Sequence, residues 1–448
     1  MKPKRNSVLL PFLAAILTAI LLCAGSVEAR TRATRTVLPN GMILIHIEQR
    51  SLPLVTVRIT FRAGAAAEPA EKAGLANLTA QLLSEGTKNR TGTELLETID
   101  ELGGRIGFSA GRDTSSGGIT VLRSDLEEGL RLFAEMALHP SFPEKELRRT
   151  VKENIGRIER SKQDPASLAR VAFRKALYGS HPYGRRVVGD APTLRSITRE
   201  DVVRFHRDFY RPGGAIAVVV GDISRPAAEA RLNQAFAGWT GSPPEVKTFP
   251  APKLPEKRKV EKIQRGVAQA RVLFGHPGPL RGDPDYYAVR VMNYILGGGG
   301  FESRILRTIR EEQGLAYSAW SSFSYGLQAG AFQAGLGTRN ETANRALDAL
   351  FQQIERMREE PVTEKELDDA KAFITGSFPL SLSGNRNLVT FYTSVELYGL
   401  GLDFAERYPG LIRGVTRADV LRVAKKHLHP RKGVLLILAD NEKAKLRY

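Results

Sequence analysis

The sequence predicts an α+β protein of two homologous domains, each an antiparallel-rich sheet packed with helices. Three observations carry this. Phe142-Pro-Glu-Lys-Glu-Leu147 returns as Val362-Thr-Glu-Lys-Glu-Leu367, and Ile197-Thr-Arg-Glu-Asp-Val202 returns as Val415-Thr-Arg-Ala-Asp-Val420, at offsets of 220 and 218 residues. Two offsets this close mark an internal duplication. Between the copies, Gly241–Glu256 holds five prolines in sixteen residues, a stretch that can continue neither a helix nor an inner strand. The composition, 42% hydrophobic and 25% charged over 448 residues, provides for more than one sizeable core. It excludes a disordered chain, a collagen-like repeat and a polytopic membrane protein.

In chain order, residues 1–29 read as a secretory signal peptide. Lys2, Lys4 and Arg5 precede the apolar stretch Val8–Ala24, and Val27-Glu28-Ala29 offers a small-residue cleavage site. The competing reading is an uncleaved N-terminal anchor. The stretch lies at the short end of the ~17–25 residues a spanning helix needs, and Pro11 interrupts it. Leu22 is too large for a lipoprotein signal at Cys23. Cleavage removes Cys23, the lone cysteine, leaving neither a disulfide framework nor a cysteine metal cluster. The expected location is therefore across the inner membrane, in the periplasm, with no stable membrane insertion after cleavage.

Residues 30–240 form the first domain. Val37–Gln49 and Leu54–Arg62 read as strands, Ala73–Ser84 and Ser124–Ala137 carry helical spacing, and the β-branched Ala215–Val220 closes the unit. Ser124, Thr198 and Thr363 stand where N-caps belong, with Glu127, Asp201 and Glu366 three residues on. Residues 241–259 are a linker and 260–448 the second domain, which closes on Val434–Leu438. Within it, Ser303–Gln313 reads as a helix burying Ile305, Leu306 and Ile309, Gly314 as its C′ residue, and Leu315–Tyr325 as a strand. Arg310 at the helix end and Tyr317 at the strand start are thus able to converge. Their plain structural readings are a helix arginine paired with a carboxylate and a core aromatic.

The net charge of +18 invites a nucleic-acid partner. The basic residues are interspersed with acids, as in Arg307…Arg310-Glu311-Glu312, and no aromatic-interleaved basic stripe appears. No nucleic-acid partner is expected. Gly297–Gly300 lacks the Lys-Ser/Thr of a phosphate loop, so nucleotide binding is not expected either.

Leu38-Pro-Asn-Gly-Met42, Ala73-Gly-Leu-Ala76, Glu85-Gly-Thr87, His181-Pro-Tyr-Gly184, Leu296-Gly-Gly-Gly-Gly-Phe301 and Arg310-Glu-Glu-Gln-Gly-Leu-Ala-Tyr317 together resemble the M16 metallopeptidases, the insulinase and mitochondrial-processing-peptidase-like family. The likeness runs from about Thr36 to the C-terminus and implies paired α+β domains of the M16, LuxS/metallohydrolase-like fold. Active members carry H-x-x-E-H directly after the Ala-Gly-Leu-Ala run. Histidines at i and i+4 bind zinc from one helix face, and the glutamate takes a proton from the metal-bound water.

Here those positions read Asn77-Leu78-Thr79-Ala80-Gln81, so both histidines and the base are replaced. A further glutamate ligand is expected on the helix around Lys152–Lys162, where Gly156 and Arg157 lie nearest the aligned place and Glu153 and Glu159 flank it. His46, His139, His181, His206, His276, His427 and His429 offer no substitute set. No metal and no cofactor are expected on this chain, and no peptidase activity from it alone.

The resemblance also implies that Arg310 and Tyr317 hold the substrate backbone and stabilise the developing oxyanion. It implies that the glycine-rich turn lets a peptide approach the backbone closely. Ile106-Gly107-Phe108-Ser109 replaces the family's substrate-pairing edge strand, and Gly107 is expected to weaken it. A lost zinc half-site with a retained Arg/Tyr half-site resembles the non-catalytic subunit of heterodimeric bacterial members. The implied partners are a homologous M16 subunit with intact H-x-x-E-H, which supplies the zinc, and unfolded peptide substrates. The alternative is a non-proteolytic peptide-binding or assembly scaffold.

Overall fold

The computed structural model describes residues 32–448; the signal-peptide reading and Cys23 lie outside the described residues. The first half runs β1 (Thr34–Val37), β2 (Ile43–Glu48), β3 (Leu54–Phe61), α1 (Leu75–Leu82), α2 (Gly92–Glu101), β4 (Arg105–Ala110), β5 (Ser115–Leu122), α3 (Leu126–Leu138), α4 (Glu144–Ser161), α5 (Pro165–Tyr178), α6 (Ala191–Ser196), α7 (Arg199–Phe209), β6 (Ile216–Gly221) and α8 (Arg225–Ala235). The second runs β7 (Arg258–Gln264), β8 (Gln269–Gly278), α9 (Tyr286–Asn293), α10 (Arg304–Leu306), β9 (Ala316–Tyr325), β10 (Gly330–Arg339), α11 (Ala343–Glu359), α12 (Glu364–Ser377), α13 (Asn385–Leu397), α14 (Phe404–Arg413), α15 (Arg417–His427), β11 (Gly433–Ala439) and α16 (Asn441–Ala444).

The strands form two sheets, ordered β1-β2-β6-β3-β5-β4 and β7-β11-β8-β10-β9. Only β2/β6 and β7/β11 pair in parallel; every other pairing is antiparallel. This is the expected α+β architecture, and the duplication is visible in it. Helices α4 and α12 start 220 residues apart, as do α5 and α13, while α7 and α15 start 218 apart. The recurring Thr-x-x-Asp/Glu segments are reciprocal capping boxes at Thr198/Asp201, Thr363/Glu366 and Thr416/Asp419.

Three local expectations are corrected. Val37–Gln49 is two strands, because Asn40-Gly41 makes a turn: Gly41 takes φ +86° and the Asn40 side chain accepts the Met42 N–H at 3.1 Å. Ser124 does not cap α3, since a 3-10 turn over Arg123–Asp125 precedes it and the Ser124 hydroxyl bonds Asp125 instead. The linker ends before Arg258, where β7 joins the second sheet.

The two halves exchange helices. Along β6, Ala217 and Val219 face the helices of their own half, whereas Ile216, Val218 and Val220 join Leu388, Val389 and Tyr392 of α13. Along β11, Leu435 and Ile437 face their own helices, whereas Val434, Leu436 and Leu438 join Ala169, Phe173 and Leu177 of α5. Each central strand is therefore buried on both faces, which explains its uninterrupted apolar run. A polar latch adds to this contact. The Tyr183 hydroxyl donates to Asp113 and accepts the Gln328 N–H at 3.2 Å, and Asp113 accepts the Leu327 N–H at 3.2 Å. Among the described residues no helix is long and apolar enough to cross a membrane.

Phe173→Ala is expected to cost about 3–5 kcal/mol. Because Phe173 covers the other half's sheet, its loss should expose residues 258–439 to protease as readily as its own half. Urea unfolding paired with limited proteolysis measures both effects.

Candidate functional site

Helix α1 begins without a side-chain cap of the usual kind. Gly74 adopts φ +103°, and the carboxylate of Glu68 accepts the N–H groups of Gly74 at 3.0 Å and Ala76 at 2.9 Å. Burial pushes the Glu68 carboxyl up to about 7, against the pull of those two N–H donors and of Arg185. Leu75, Leu78 and Leu82 sink into the first core, which sets the phase of the helix.

That phase places Asn77 and Gln81 one turn apart, and Asn154 of α4 donates through Nδ2 to Gln81 Oε1 at 2.8 Å. Asn154 thus stands opposite the α1 pair, rather than Gly156 or Arg157. Glu153 is engaged with Arg149 at 2.7 Å and Glu159 with Lys162 at 2.8 Å, both on the solvent side. Leu147, Thr150, Asn154 and Ile158 form the buried stripe of α4. Read at helical period, that stripe is the signal in the sequence that singles out Asn154.

A zinc ion, which the fold implies, does not fit this donor set. Carboxamides are weak neutral ligands, Gln81 Oε1 is already committed to Asn154, and fully buried Ala80 has no proton acceptor. The Nδ2 of Asn77 and the hydroxyl of Thr79 are buried without hydrogen-bond partners.

Most of the histidines serve the fold. His46 bonds the carbonyl of Ile223, His206 that of Ala137, and His276 lies between the Pro277 carbonyl and the His429 N–H. Asp283, Asp285 and His427 cluster closely enough for an ion, but the Asp285 carboxylate is occupied by Arg422 at 2.7 Å, Lys426 at 2.7 Å and His427 at 2.9 Å. A metal would have to displace two cations.

The second candidate half-site lies on the other sheet. The segment after Ser303 is α-helical only through Leu306, and Arg307–Glu312 is a π-turn. It closes on Gly314 at φ +60°, whose N–H bonds the Arg310 carbonyl at 3.1 Å, while the Leu315 N–H reaches Ile309 at 2.8 Å. The chain then enters β9 through a bulge. Ala316 pairs with Thr338 and Ser318 with Gly337, which leaves Tyr317 as the extra residue. The bulge turns Tyr317 outward, 77% exposed, so it is not a core aromatic.

Arg310 and Tyr317 do converge: the guanidinium carbon lies 5.0 Å from the Tyr317 ring centroid. It lies 4.9 Å from that of Phe301, itself 58% exposed, so the arginine is bracketed by two rings. Arg310 has no carboxylate partner among the described residues; neighbouring Glu312 pairs with Arg307 at 3.5 Å. Phe301 ends the glycine-rich run, and only the fold brings its ring to Arg310.

The glycine-rich turn packs against protein at Gly297 and Gly299, while Gly298 and Gly300 are exposed. A Cβ at Gly297 would lie 2.5 Å from Ser321, and one at Gly299 2.8 Å from the Tyr294 carbonyl. The edge strand, by contrast, forms in full. Strand β4 pairs with β5 from Arg105/Thr120 to Ala110/Ser115, with Gly107 opposite Gly118, and its outer edge is unpaired. Helix α1 packs against it. Gly107 therefore does not break the strand.

Comparison with known proteins bears on this geometry. Residues 44–191 match the family profile described as insulinase (peptidase family M16), and residues 196–374 match the peptidase M16 inactive domain. A crystal structure of a peptidase M16 inactive domain from Pseudomonas fluorescens is 30% identical, with a TM-score of 0.85, covering 91% of this chain and 98% of its own. A protease from Helicobacter pylori shares the fold at a TM-score of 0.83 and 20% identity, over 91% of this chain and 99% of its own. A non-peptidase homolog, YmxG, of Helicobacter pylori is 25% identical over 90% of this chain and 93% of its own length. An uncharacterized zinc protease of Streptomyces coelicolor is 26% identical over 92% and 91%.

Two predictions follow from α1. Asn77→His, Gln81→His and Asn154→Glu together should bind about one zinc ion per chain after dialysis, by elemental analysis, whereas either histidine alone should not retain it. The second concerns pH. A carboxyl raised from 4.5 to about 7 on folding makes the native state hold a proton that the unfolded state releases. Stability should therefore fall as pH rises from about 4.5 to 7, by on the order of 3 kcal/mol, and level off above. Glu68→Gln should abolish that slope in chemical denaturation.

Proposed function

The chain belongs to peptidase family M16 as an inactive homologue, and on that premise we propose that it is the substrate-positioning subunit of an exported, two-chain M16 metalloendopeptidase. The homologous partner retains H-x-x-E-H and holds the zinc ion; bond cleavage falls to it. This chain contributes the surface that grips an unfolded peptide. The observation that carries the reading is the contrast between the two half-sites. The metal face carries carboxamides, Gln81 bonded to Asn154 and Asn77 unbonded at its Nδ2, while Arg310 is kept free of carboxylates beside Phe301 and an outward-turned Tyr317.

A guanidinium has five N–H donors and a phenol one, and both present them to a peptide carbonyl without protonation changes. Holding the arginine between two rings fixes its plane before substrate arrives, so little reorganisation accompanies charge development at the carbonyl oxygen. The unpaired edge of β4 offers backbone donors and acceptors to an extended peptide, which aligns it without regard to sequence. Export to the periplasm is part of the proposal and rests on the character of residues 1–29.

A second reading, a peptide-binding or assembly scaffold without a part in proteolysis, is favoured by the likeness to the non-peptidase homolog of Helicobacter pylori. The two part company on the reconstituted pair. Arg310→Ala should lower its turnover about 10²-fold, and Tyr317→Phe by a smaller factor, with the pair still co-eluting on size exclusion. The chain alone should cleave nothing, and a chelator should stop the pair. Turnover indifferent to both substitutions would leave the scaffold reading.

A further inference from the structure

The second half holds another basic, aromatic-walled cavity that the Arg310 site does not use. It has a volume of about 320 Å³ and lies where the end of β9, the start of α9 and helices α13 and α14 meet. Arg281, Arg290, Tyr325, Phe391, Tyr398 and Tyr408 line it, and no carboxylate does. The Arg281 guanidinium stacks 3.5 Å over the ring centroid of Tyr286 and 5.4 Å from that of Phe404. Arg290 lies 5.9 Å from the Tyr408 ring. Neither arginine forms an ion pair among the described residues, although Arg304 and Arg422 in the same half do. Burial pushes the Tyr325 and Tyr398 phenols up and that of Tyr408 to about 12, so all stay neutral at ordinary pH; the Tyr398 hydroxyl donates to the Tyr325 carbonyl at 3.2 Å, and Arg290 bonds the hydroxyls of Tyr286 and Tyr408.

We propose that this cavity binds the C-terminal carboxylate of a peptide together with its last side chain, apolar or aromatic. The inference deepens the proposed function and rests on its peptide substrate. A guanidinium stacked by its face keeps its N–H edge for an in-plane acceptor, and a carboxylate is planar and bidentate. Phosphate or sulfate would press unpaired oxygens against the rings, which is costly. The volume suits one large side chain with its carboxylate.

Position supports the same ligand. Tyr325 ends β9, the strand that carries Tyr317 near its start, while Gly297 and Asn293 pack against Ser321 midway along its outer edge. Eight residues at ~3.3 Å each place the cavity roughly 26 Å from Arg310. A peptide held by its end in the cavity and passing outside the glycine-rich turn would present a bond at least eight residues from its C-terminus to Arg310.

The test uses the isolated full chain and an N-terminally labelled nonapeptide ending in Leu-Phe, as free acid or amide, followed by fluorescence anisotropy. The acid should bind at least tenfold more tightly. The double variant Arg281→Gln/Arg290→Gln should reduce acid and amide to the same weak level with an unchanged melting temperature. Ser381→Trp, which fills the mouth and leaves both arginines in place, should also abolish the preference. Equal affinity of acid and amide, or a preference that survives these variants, overturns the proposal and leaves the two-chain peptidase standing. A clear acid preference alongside a reconstituted pair that is indifferent to Arg310→Ala sustains the cavity and removes the positioning role.

Discussion

The structure depends on one packing arrangement: each half lends a helix to the other half's sheet. Strands β6 and β11 are apolar on both faces, and one face of each has no cover within its own half. Burying such faces is the main favourable term available to a sheet of this size. With α5 and α13 exchanged, the two sheets are held in one fixed relation, and the Tyr183–Asp113–Leu327 latch adds direction to a contact that apolar packing alone leaves adjustable. Every residue discussed as functional is placed by that relation. Asn77 and Gln81 stand on a helix of the first half, and Arg310 and Tyr317 on the second.

The face of α1 shows how a site is lost without the fold. An amide-to-amide hydrogen bond between Gln81 and Asn154 joins α1 to the following long helix. A neutral bond of this kind contributes about 1 kcal/mol, far less than a metal, yet it leaves no uncompensated charge in a mostly buried setting. Glu68 remains at the helix start, still capping two N–H groups at a cost in desolvation.

Much of this was legible in the sequence because it is local. Thr-x-x-Asp/Glu caps and their offsets expose the duplication, and the i, i+4 spacing of Asn77 and Gln81 exposes the altered metal face. Arg310 and Tyr317 are legible as a helix end and a strand start able to converge, and the fold brings them together; their role rests on the family resemblance. What escaped is tertiary. Asn154 was missed because counting along an alignment ignores helix phase. Phe301 was missed because its ring meets Arg310 only after a π-turn and a bulge have rotated both segments, and neither irregularity has a mark in the residues. Gly107 lowers strand propensity, yet β4 keeps its full register with Gly107 opposite Gly118.

Helix exchange also has a consequence in time. A ribosome completes β6 at Gly221 well before it reaches Asn385, the first residue of the helix that covers it. At ~5–20 residues per second, that delay is roughly 8–30 s. Throughout it, Ile216, Val218 and Val220 present a greasy stripe to the surroundings. The first half cannot be completed until α13 is available to cover that stripe, so folding does not proceed half by half.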